Sequence, residues 1–287
     1  MKQLLIDAGN SRLKWTTLTT RAAAATLPAR DGAARGRKTR LGRVSAEAWT
    51  ERSAPRIAAA MMRARFDRIL VCSVAGRGLE SVLRHVALRQ RQPVPQFIRS
   101  TRRAAGVRNG YAQTWRLGAD RWVAMLGARA LYPGRALCVV DVGTALTVDL
   151  LDSRGQHRGG LLIPGPSLMV DALLNYTAGI RRRAGPRAGE GARRGAGTRG
   201  GAGSGAGRAT LFARSTQAGL LSGSAMACAA LVERAQAEAR TSLGVRPKVL
   251  LAGGGAMQVA PLLGVAHTRV DELVLRGLGL LAMLDSR

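Results

Sequence analysis

Apolar residues recur in short blocks along the chain, and two of these blocks resemble each other. The segments QLLIDAGNSRLKWTTL from Gln3 and LCVVDVGTALTVDLLD from Leu137 superimpose with an offset of 134 residues. Each has an apolar run that ends in Asp-x-Gly, a tight turn, and a second run of partly alternating polarity, which is typical of a β-hairpin. The pattern predicts two hairpins related by an internal repeat, each with an acidic residue at its turn.

The segments that follow each hairpin predict the rest of two similar units. HRGGLLIPG from His157 predicts a third strand behind the second hairpin, and LGRVS from Leu41 predicts one behind the first. Helical periodicity begins at Ala119 and at Ser215, while KVLLAGGGA from Lys248 predicts a buried strand that enters a glycine turn. The simplest architecture is an α/β fold made of two copies of one strand-rich unit.

Two polar segments rich in Arg and Gly interrupt this pattern at residues 20–43 and 181–208. The second is built almost wholly from Arg, Gly and Ala, and this composition buries too little apolar surface to offset the entropy of ordering. We therefore expect a disordered loop over 181–208. A chain of 287 residues is long enough for two domains, and we predict them at 1–115 and 116–287.

The charge is strongly positive, with 45 Lys and Arg against 17 Asp and Glu and a formal net charge of +28. Such a charge suggests a nucleic-acid partner, but nearly half of it lies within residues 21–43 and 181–208. Aromatic residues, on which nucleic-acid bases stack, make up only 3% of the chain and are not interleaved with the basic ones. Nucleic-acid binding is therefore not favoured as the main function.

Cysteine usage and hydropathy point to the compartment. Cys72, Cys138 and Cys228 have no CxxC spacing, which fits neither a disulfide framework nor a zinc site. No run approaches the roughly 18 apolar residues of a membrane span, and the first residues lack the pattern of a signal peptide. We expect a cytoplasmic protein that does not enter a membrane.

The turns of the two hairpins are suited to phosphate binding. Gly9 and Gly143 permit a sharp turn that brings backbone N–H groups close to an anion. The turns also carry side-chain donors, with Lys14 as a further point charge: Asn10, Ser11 and Thr144. Hydroxyl and amide groups of this kind bind phosphate oxygens. A single turn of this form is weak evidence, but the repeat supplies two.

The carboxylates at these turns imply a cation. Asp7 and Asp141 precede the turn glycines, and a carboxylate facing phosphate needs a cation between the two because their charges repel. A third glycine turn, Gly253–Gly255, follows a buried strand. No GxxxxGK[ST] motif, protein-kinase motif set, HExxH or GxSxG is present. Together these features indicate nucleotide binding.

An ordered series of motifs resembles a known family. The series is DAGNS with Lys14, GADR at 118–121, DVGTALT from Asp141, GGLLIPG from Gly159, Ser215-Thr216 opening a helix, and LAGGG. It resembles the type III pantothenate kinases of the actin, sugar-kinase and heat-shock ATPase superfamily, over nearly the whole chain outside the two Arg/Gly-rich segments. The resemblance implies two ribonuclease H-like (actin-like ATPase) domains related by duplication. It also implies ATP-dependent phosphorylation of pantothenate to 4′-phosphopantothenate, the first step of coenzyme A biosynthesis.

The resemblance further implies which residues bind ATP and cations. The first phosphate motif comprises Asp7, Ala8, Gly9, Asn10, Ser11, Arg12, Leu13 and Lys14, and the second comprises Asp141, Gly143 and Thr144. The adenosine-side turn comprises Gly253, Gly254 and Gly255. Asp141 is implied to hold a monovalent cation, K⁺ or NH₄⁺, and Asp7 is implied to hold Mg²⁺ or another divalent cation through water.

The pantothenate motif is implied to be Gly118, Ala119, Asp120 and Arg121. Within it, Asp120 is the implied general base and Arg121 the implied anchor for the substrate carboxylate. Tyr111 and Thr216 are implied to make further substrate contacts. Family members are commonly homodimers, and the Ala-rich face of residues 215–235 fits either a dimer helix or a core helix.

Two other functions remain open at this point. Members of the family have also been called Bvg accessory factors, so a transcriptional accessory role is one alternative, and the positive charge favours it. Another small-molecule kinase or ATPase of the same superfamily is the second, because a fold with phosphate turns does not determine the acceptor.

Overall fold

The computed structural model describes residues 1–21, 38–184 and 212–284, and the chain divides into two units. Unit 1 comprises Met1–Ala105, Tyr111–Ala130 and Leu273–Arg287, and unit 2 comprises Gly106–Gly110 and Leu131–Glu272. This division differs from the predicted boundary between residues 115 and 116, because residues 116–130 and 273–287 belong to unit 1.

The elements are numbered in chain order. The strands are β1 (Lys2–Ala8), β2 (Arg12–Arg21), β3 (Lys38–Leu41), β4 (Ser45–Ala48), β5 (Arg68–Ser73), β6 (Gln96–Ile98), β7 (Arg103–Ala104), β8 (Val107–Arg108), β9 (Leu137–Val142), β10 (Ala145–Leu151), β11 (His157–Pro164), β12 (Lys248–Ala252) and β13 (His267–Arg269). The helices are α1 (Ala54–Met61), α2 (Gly76–Arg89), α3 (Ala119–Leu131), α4 (Pro166–Tyr176), α5 (Ala178–Ala184), α6 (Thr216–Leu243), α7 (Ala256–Val259) and α8 (Leu273–Leu284). Short 3₁₀ helices span Thr114–Arg116 and Ala260–Leu262.

The main sheets of the two units share one arrangement of five strands. In unit 1 the order of these strands is β3-β2-β1-β5-β6, with β4 as a sixth strand that also pairs with β2, and in unit 2 the order is β11-β10-β9-β12-β13. In each sheet the first three strands are antiparallel, and the central strand then pairs in parallel with the fourth, which pairs in parallel with the fifth. The predicted internal repeat is therefore confirmed at the level of whole sheets.

The register shows where the two hairpins differ. Ala8 pairs with Leu13 in unit 1, whereas Val142 pairs with Leu146 in unit 2. The loop between these pairs is therefore one residue shorter in the second hairpin. Equivalent residues on the first strands of the two hairpins are 134 positions apart. On the second strands they are 133 positions apart, so Lys14 corresponds to Thr147.

One face of the unit 1 sheet packs against α1 and α2. Leu4, Ile6 and Ala8 of β1 form a buried cluster with residues of those helices, such as Ile57 and Leu83. Since successive side chains of a strand point to opposite faces, the intervening residues of β1 face the other way.

The other face of this sheet is covered by α8. Leu5 of β1 lies 3.7 Å from the position that a Cβ on Gly279 of α8 would occupy. Helix α3 packs closely on α8, because a Cβ on Gly277 would overlap the carbonyl oxygen of Val123 and one on Gly127 would lie 2.7 Å from the carbonyl oxygen of Leu273. This close helix pair is the physical reason why α3 and α8 belong to unit 1.

The described residues cover part of each predicted insertion. The segment 20–43 begins with the end of β2 and finishes with β3, and residues 22–37 lie outside the described residues. The predicted loop at 181–208 begins inside α5, and residues 185–208 lie outside the described residues. The strand expected at 41–45 is displaced, because β3 ends at Leu41 and β4 begins only at Ser45.

The predicted starts of two helices are confirmed. Helix α3 begins at Ala119, and Ser215 is the N-cap of α6, with its Oγ accepting a hydrogen bond from the Ala218 N–H at 3.2 Å. The three cysteines are buried and form no disulfide. Of the helices in the described ranges, none has both the length and the apolar character needed to span a membrane.

Gln3 generates a testable prediction about stability. Its side chain is fully buried in β1, and within the described part of the chain neither its Oε1 nor its Nε2 has a hydrogen-bond partner. An unsatisfied buried polar group costs about 1–3 kcal/mol. The substitution Gln3→Leu should therefore raise the free energy of unfolding by about that amount, measured by urea denaturation.

Gln236 provides the matched control. It is also buried, but its Nε2 donates a hydrogen bond to the carbonyl oxygen of Pro247 at 3.2 Å. Gln236→Leu should leave that carbonyl unsatisfied and give no gain in stability. A Gln3→Leu protein that is no more stable than the parent would contradict the prediction.

Candidate functional site

Asp7 lies near the carboxyl end of β1, between two neighbouring strands. It is opposite Lys14 of β2 in the antiparallel register and opposite Cys72 of β5 in the parallel register. Residues paired in this way project from the same face of a sheet. The carboxylate and the ammonium group therefore share one face, opposite the one that packs on α1 and α2.

The turn after Asp7 is closed by the backbone and supported by a tryptophan. The Gly9 N–H donates to the Arg12 carbonyl at 3.0 Å, and Trp49 Nε1 donates to the Gly9 carbonyl at 2.9 Å. Asn10 and Ser11 are exposed at the tip. Trp49 could not be found from the sequence, since it lies 40 residues from the turn and belongs to no motif.

Asp120 is in the first turn of α3, where a carboxylate is favoured by the helix macrodipole. Its Oδ1 accepts a hydrogen bond from the Arg121 N–H at 2.7 Å. A Cβ on Gly118 would lie 2.6 Å from the same Oδ1, so a larger residue would displace the carboxylate. Ser100 Oγ supports the approach to the helix by donating to the Leu117 carbonyl at 2.7 Å.

Arg121 and Tyr111 are brought together by the structure. Arg121 is 7% exposed, and its guanidinium donates from Nη1 to Tyr111 Oη at 3.1 Å. Its Cζ also lies 5.7 Å from the centroid of the Tyr111 ring, within the range of a cation–π contact. The guanidinium is therefore held in one orientation near the start of α3.

Both carboxylates act electrostatically on the buried thiol of Cys72. Burial raises the pKa of this thiol well above the ordinary value, and the negative charges of Asp7 and Asp120 raise it further, while Arg99 acts in the opposite direction. We call the group Asp7, Lys14, Tyr111, Asp120 and Arg121 the unit 1 site.

The corresponding turn of unit 2 follows Asp141 on β9. The Gly143 N–H donates to the Ala145 carbonyl at 3.0 Å, and the Gly165 N–H donates to the Thr144 carbonyl at 2.8 Å. A Cβ on Gly165 would overlap the Gly143 carbonyl oxygen. Gly165 is thus required for this turn, although sequence analysis cited it only as the last residue of GGLLIPG.

The Gly253–Gly255 turn lies against Asp141. Strand β12 is parallel to β9, with Ala252 opposite Asp141, and the Gly255 N–H donates to the Val142 carbonyl at 2.9 Å. Gly253 has φ +93°, and a Cβ there would overlap Asp141 Oδ1 and lie 2.5 Å from the Val142 carbonyl oxygen. The unit 2 site, as we call it, comprises Asp141, Gly143, Thr144, Gly253, Gly254 and Gly255.

Thr216 lies elsewhere in unit 2. It is the first residue of α6, whose N-terminal part packs against α4 and α5 in a small apolar cluster that includes Val170, Ala184 and Leu220. Its implied substrate contact stays a prediction.

The acidic residues of the two sites do not form a ready-made metal cage. Among the described residues, no group of three or more His, Cys, Asp or Glu side chains could hold a metal ion. Mg²⁺ in kinase sites is commonly bound by one or two carboxylates together with substrate phosphates. Asp7 and Asp141 each provide one carboxylate at a turn, as a site of that kind requires.

Comparisons with known proteins agree with these features. Residues 3–238 match the family model of the type III pantothenate kinases. A type III pantothenate kinase from Aromatoleum aromaticum is 37% identical over 99% of this chain and 98% of its own length. One from Nitrosococcus oceani is 31% identical over 99% of this chain and 95% of its own length.

The fold also has a relative among solved structures. Component A of the (R)-2-hydroxyglutaryl-CoA dehydratase from Acidaminococcus fermentans superimposes with a TM-score of 0.52 at 14% identity, covering 100% of this chain and 99% of that one. At this identity the likeness concerns the fold alone. It confirms the predicted class, an α/β protein with two actin-like ATPase domains.

Gly253 generates a prediction about stability at the unit 2 site. Gly253→Ala should lower the free energy of unfolding, because alanine is strained at positive φ and its Cβ would meet Asp141 and Val142. Gly244→Ala is the matched control, since Gly244 also has positive φ (+67°) but a Cβ there would meet nothing within 4 Å.

The left-handed conformation alone costs alanine about 1–2 kcal/mol. Urea denaturation should therefore show that loss for Gly244→Ala and a further loss of at least about 1 kcal/mol for Gly253→Ala. Equal losses in the two variants would contradict the close approach at Asp141.

Proposed function

This chain belongs to the type III pantothenate kinase family, and we propose that it phosphorylates pantothenate with ATP through the unit 1 and unit 2 sites. The observation that carries the assignment is the start of α3. There the GADR motif places Asp120 in the first helical turn and holds Arg121 on Tyr111. A match over nearly the full length of named relatives supports it.

ATP binding is assigned to the turns of both sites. Backbone N–H groups of the glycine turns and the side chains of Asn10, Ser11 and Thr144 bind phosphate oxygens, and Lys14 adds a positive charge beside Asp7. The turn Gly253–Gly255 contacts the adenosine side. Phosphoryl transfer depends mainly on positioning the reactants and neutralising the phosphate charge, and these groups provide both.

The cations are assigned to the two carboxylates. Asp7 holds Mg²⁺ through water, and Asp141 holds K⁺ or NH₄⁺. The missing Cβ at Gly253, where a side chain would overlap Asp141 Oδ1, supports the second assignment because it leaves space beside that carboxylate. When bound, the cations neutralise phosphate charge.

Pantothenate is assigned to the unit 1 site. Arg121 anchors the substrate carboxylate, for which a guanidinium is well suited because its planar fork of N–H donors matches the two oxygens of a carboxylate. Asp120 takes the proton of the substrate hydroxyl as the phosphoryl group arrives, when that proton has become acidic. Thr216 completes the substrate contacts.

We also propose a homodimer that forms through β11 and α4. Strand β11 is at the edge of the unit 2 sheet, and exposed apolar residues continue from it onto α4: Leu161, Leu162, Leu168, Leu173 and Tyr176. Large exposed apolar patches mark interaction surfaces, and most homodimers use one such surface twice. The N-terminal half of α6, which packs on α4, adds small residues at its exposed positions.

The alternatives gain no support from the comparisons. The relatives that match over the full length carry the kinase name, and nothing in them favours a transcriptional accessory role or a different acceptor. The cytoplasmic location stays a prediction.

Asp120→Asn tests the assigned base. The variant should lose about 10²- to 10⁴-fold in pantothenate-dependent turnover, the usual contribution of a general base, while its affinity for ATP changes little. Turnover is measured as ADP release and ATP binding by calorimetry. Asp271→Asn is the control, since Asp271 is an exposed carboxylate paired with Arg269 outside both sites. Full turnover in Asp120→Asn would refute the base.

Leu162→Glu tests the dimer surface. Leu162 is 56% exposed on β11, so a carboxylate there should not disturb the unit but would be buried without a partner in a dimer. Light scattering after gel filtration should give twice the chain mass for the parent and the chain mass for Leu162→Glu. Leu88→Glu, at an exposed leucine of α2, should remain dimeric. A dimeric Leu162→Glu protein would contradict the assigned surface.

A further inference from the structure

The turn between β1 and β2 is hydrogen-bonded twice to one tryptophan. Trp49 directly follows β4, which pairs with β2 so that Ala48 is opposite Arg12 at the end of the turn. The Trp49 backbone N–H donates to the Ser11 carbonyl at 3.3 Å, and its indole Nε1 donates to the Gly9 carbonyl at 2.9 Å. Trp49 therefore fixes two carbonyl groups of this turn.

The Trp49 ring is on the apolar side of the unit 1 sheet. It is half-buried and packs against the cluster that β1 forms with α1 and α2. A buried indole N–H usually has a hydrogen-bond partner, and here the partner is the Gly9 carbonyl. Because Asp7 projects from the opposite face of β1, the ring and the carboxylate lie on different sides of the sheet.

The indole bond determines the direction of one backbone donor. A planar trans peptide points its C=O and its N–H in opposite directions, and the peptides of this turn are trans. With the Gly9 carbonyl held on Trp49, the Asn10 N–H points away from the indole. Among the residues that the structure describes, none accepts a hydrogen bond from this N–H, and Asn10 is exposed.

We propose that Trp49 is a positioning residue for ATP, whose indole fixes the Gly9–Asn10 peptide so that the Asn10 N–H donates to a phosphate oxygen. The inference rests on the proposed function, in which this turn binds the phosphates. A donor that is already oriented loses little freedom when its ligand binds. Without the indole bond the peptide can rotate, so ATP must order it and binds more weakly.

Trp49→Phe and Trp15→Phe form a matched pair for calorimetric titration with Mg·ATP. Both tryptophans are half-buried and pack against the same apolar cluster, but of the two only Trp49 donates its indole N–H to a described residue. The Kd for ATP should rise about 3- to 10-fold in Trp49→Phe, the range of one neutral hydrogen bond, and by less than about 2-fold in Trp15→Phe. The KM for pantothenate at saturating ATP should be that of the parent in both variants.

The parent protein offers a measurement that needs no variant at position 49. A phosphate oxygen that accepts from the Asn10 N–H polarises the Gly9–Asn10 peptide and makes its carbonyl a stronger acceptor. The nuclear magnetic resonance of the Trp49 indole proton, assigned by its Overhauser contact with the turn, should therefore move downfield at saturating Mg·ATP. Its exchange with solvent should become slower. The indole proton of Trp15 is the internal control and should move little.

Three results would overturn the positioning role. One is a folded Trp49→Phe protein with the parent's Kd for ATP, and another is a Trp49 indole resonance that does not move at saturating ATP. The third is an equal loss of ATP affinity in Trp49→Phe and Trp15→Phe, because lost packing would then account for both.

Failure of the proposed function gives a different result. If the parent binds ATP and Trp49→Phe weakens that binding, but no turnover depends on pantothenate, the assigned reaction is overturned and the positioning role stands. A parent protein that binds no ATP overturns both.

Discussion

Close approach of the backbone to acidic side chains is the constraint on which both sites depend. At Gly118 a Cβ would lie 2.6 Å from Asp120 Oδ1, and at Gly253 it would overlap Asp141 Oδ1. Gly165 is constrained in a similar way by the backbone of the turn, since a Cβ there would overlap the carbonyl oxygen of Gly143. These glycines let the carboxylates and turns lie where larger residues would displace them. The packed apolar sheets and helices hold the backbone rigidly enough to maintain these close contacts.

The duplicated scaffold carries turns that have diverged. The two sheets have the same strand order and the same pattern of parallel and antiparallel pairing, but the second hairpin loop is one residue shorter. That difference places Lys14 opposite Asp7 in one unit and Thr147 opposite Asp141 in the other. A cationic side chain therefore lies beside one carboxylate and a neutral side chain beside the other, so the two turns differ in their local charge.

The fold could be predicted from sequence where the signal was local. The repeated Asp-x-Gly hairpins, the start of α3 and the capped start of α6 all follow from short patterns, and the ordered motifs supplied the residues that we assign to both sites. Contacts across long sequence separations could not be predicted. The packing of Gly127 on Gly277, which assigns α3 and α8 to unit 1, has no sequence signature. The same is true of the Trp49 bond to Gly9.

The most direct test of the assigned reaction is ADP release by the purified protein with Mg·ATP, with and without pantothenate, in potassium and then in sodium buffer. We expect release to require pantothenate and to fall when sodium replaces potassium, as a monovalent cation at Asp141 would demand. ADP release at the same rate without pantothenate would contradict the kinase assignment and the role of the GADR motif.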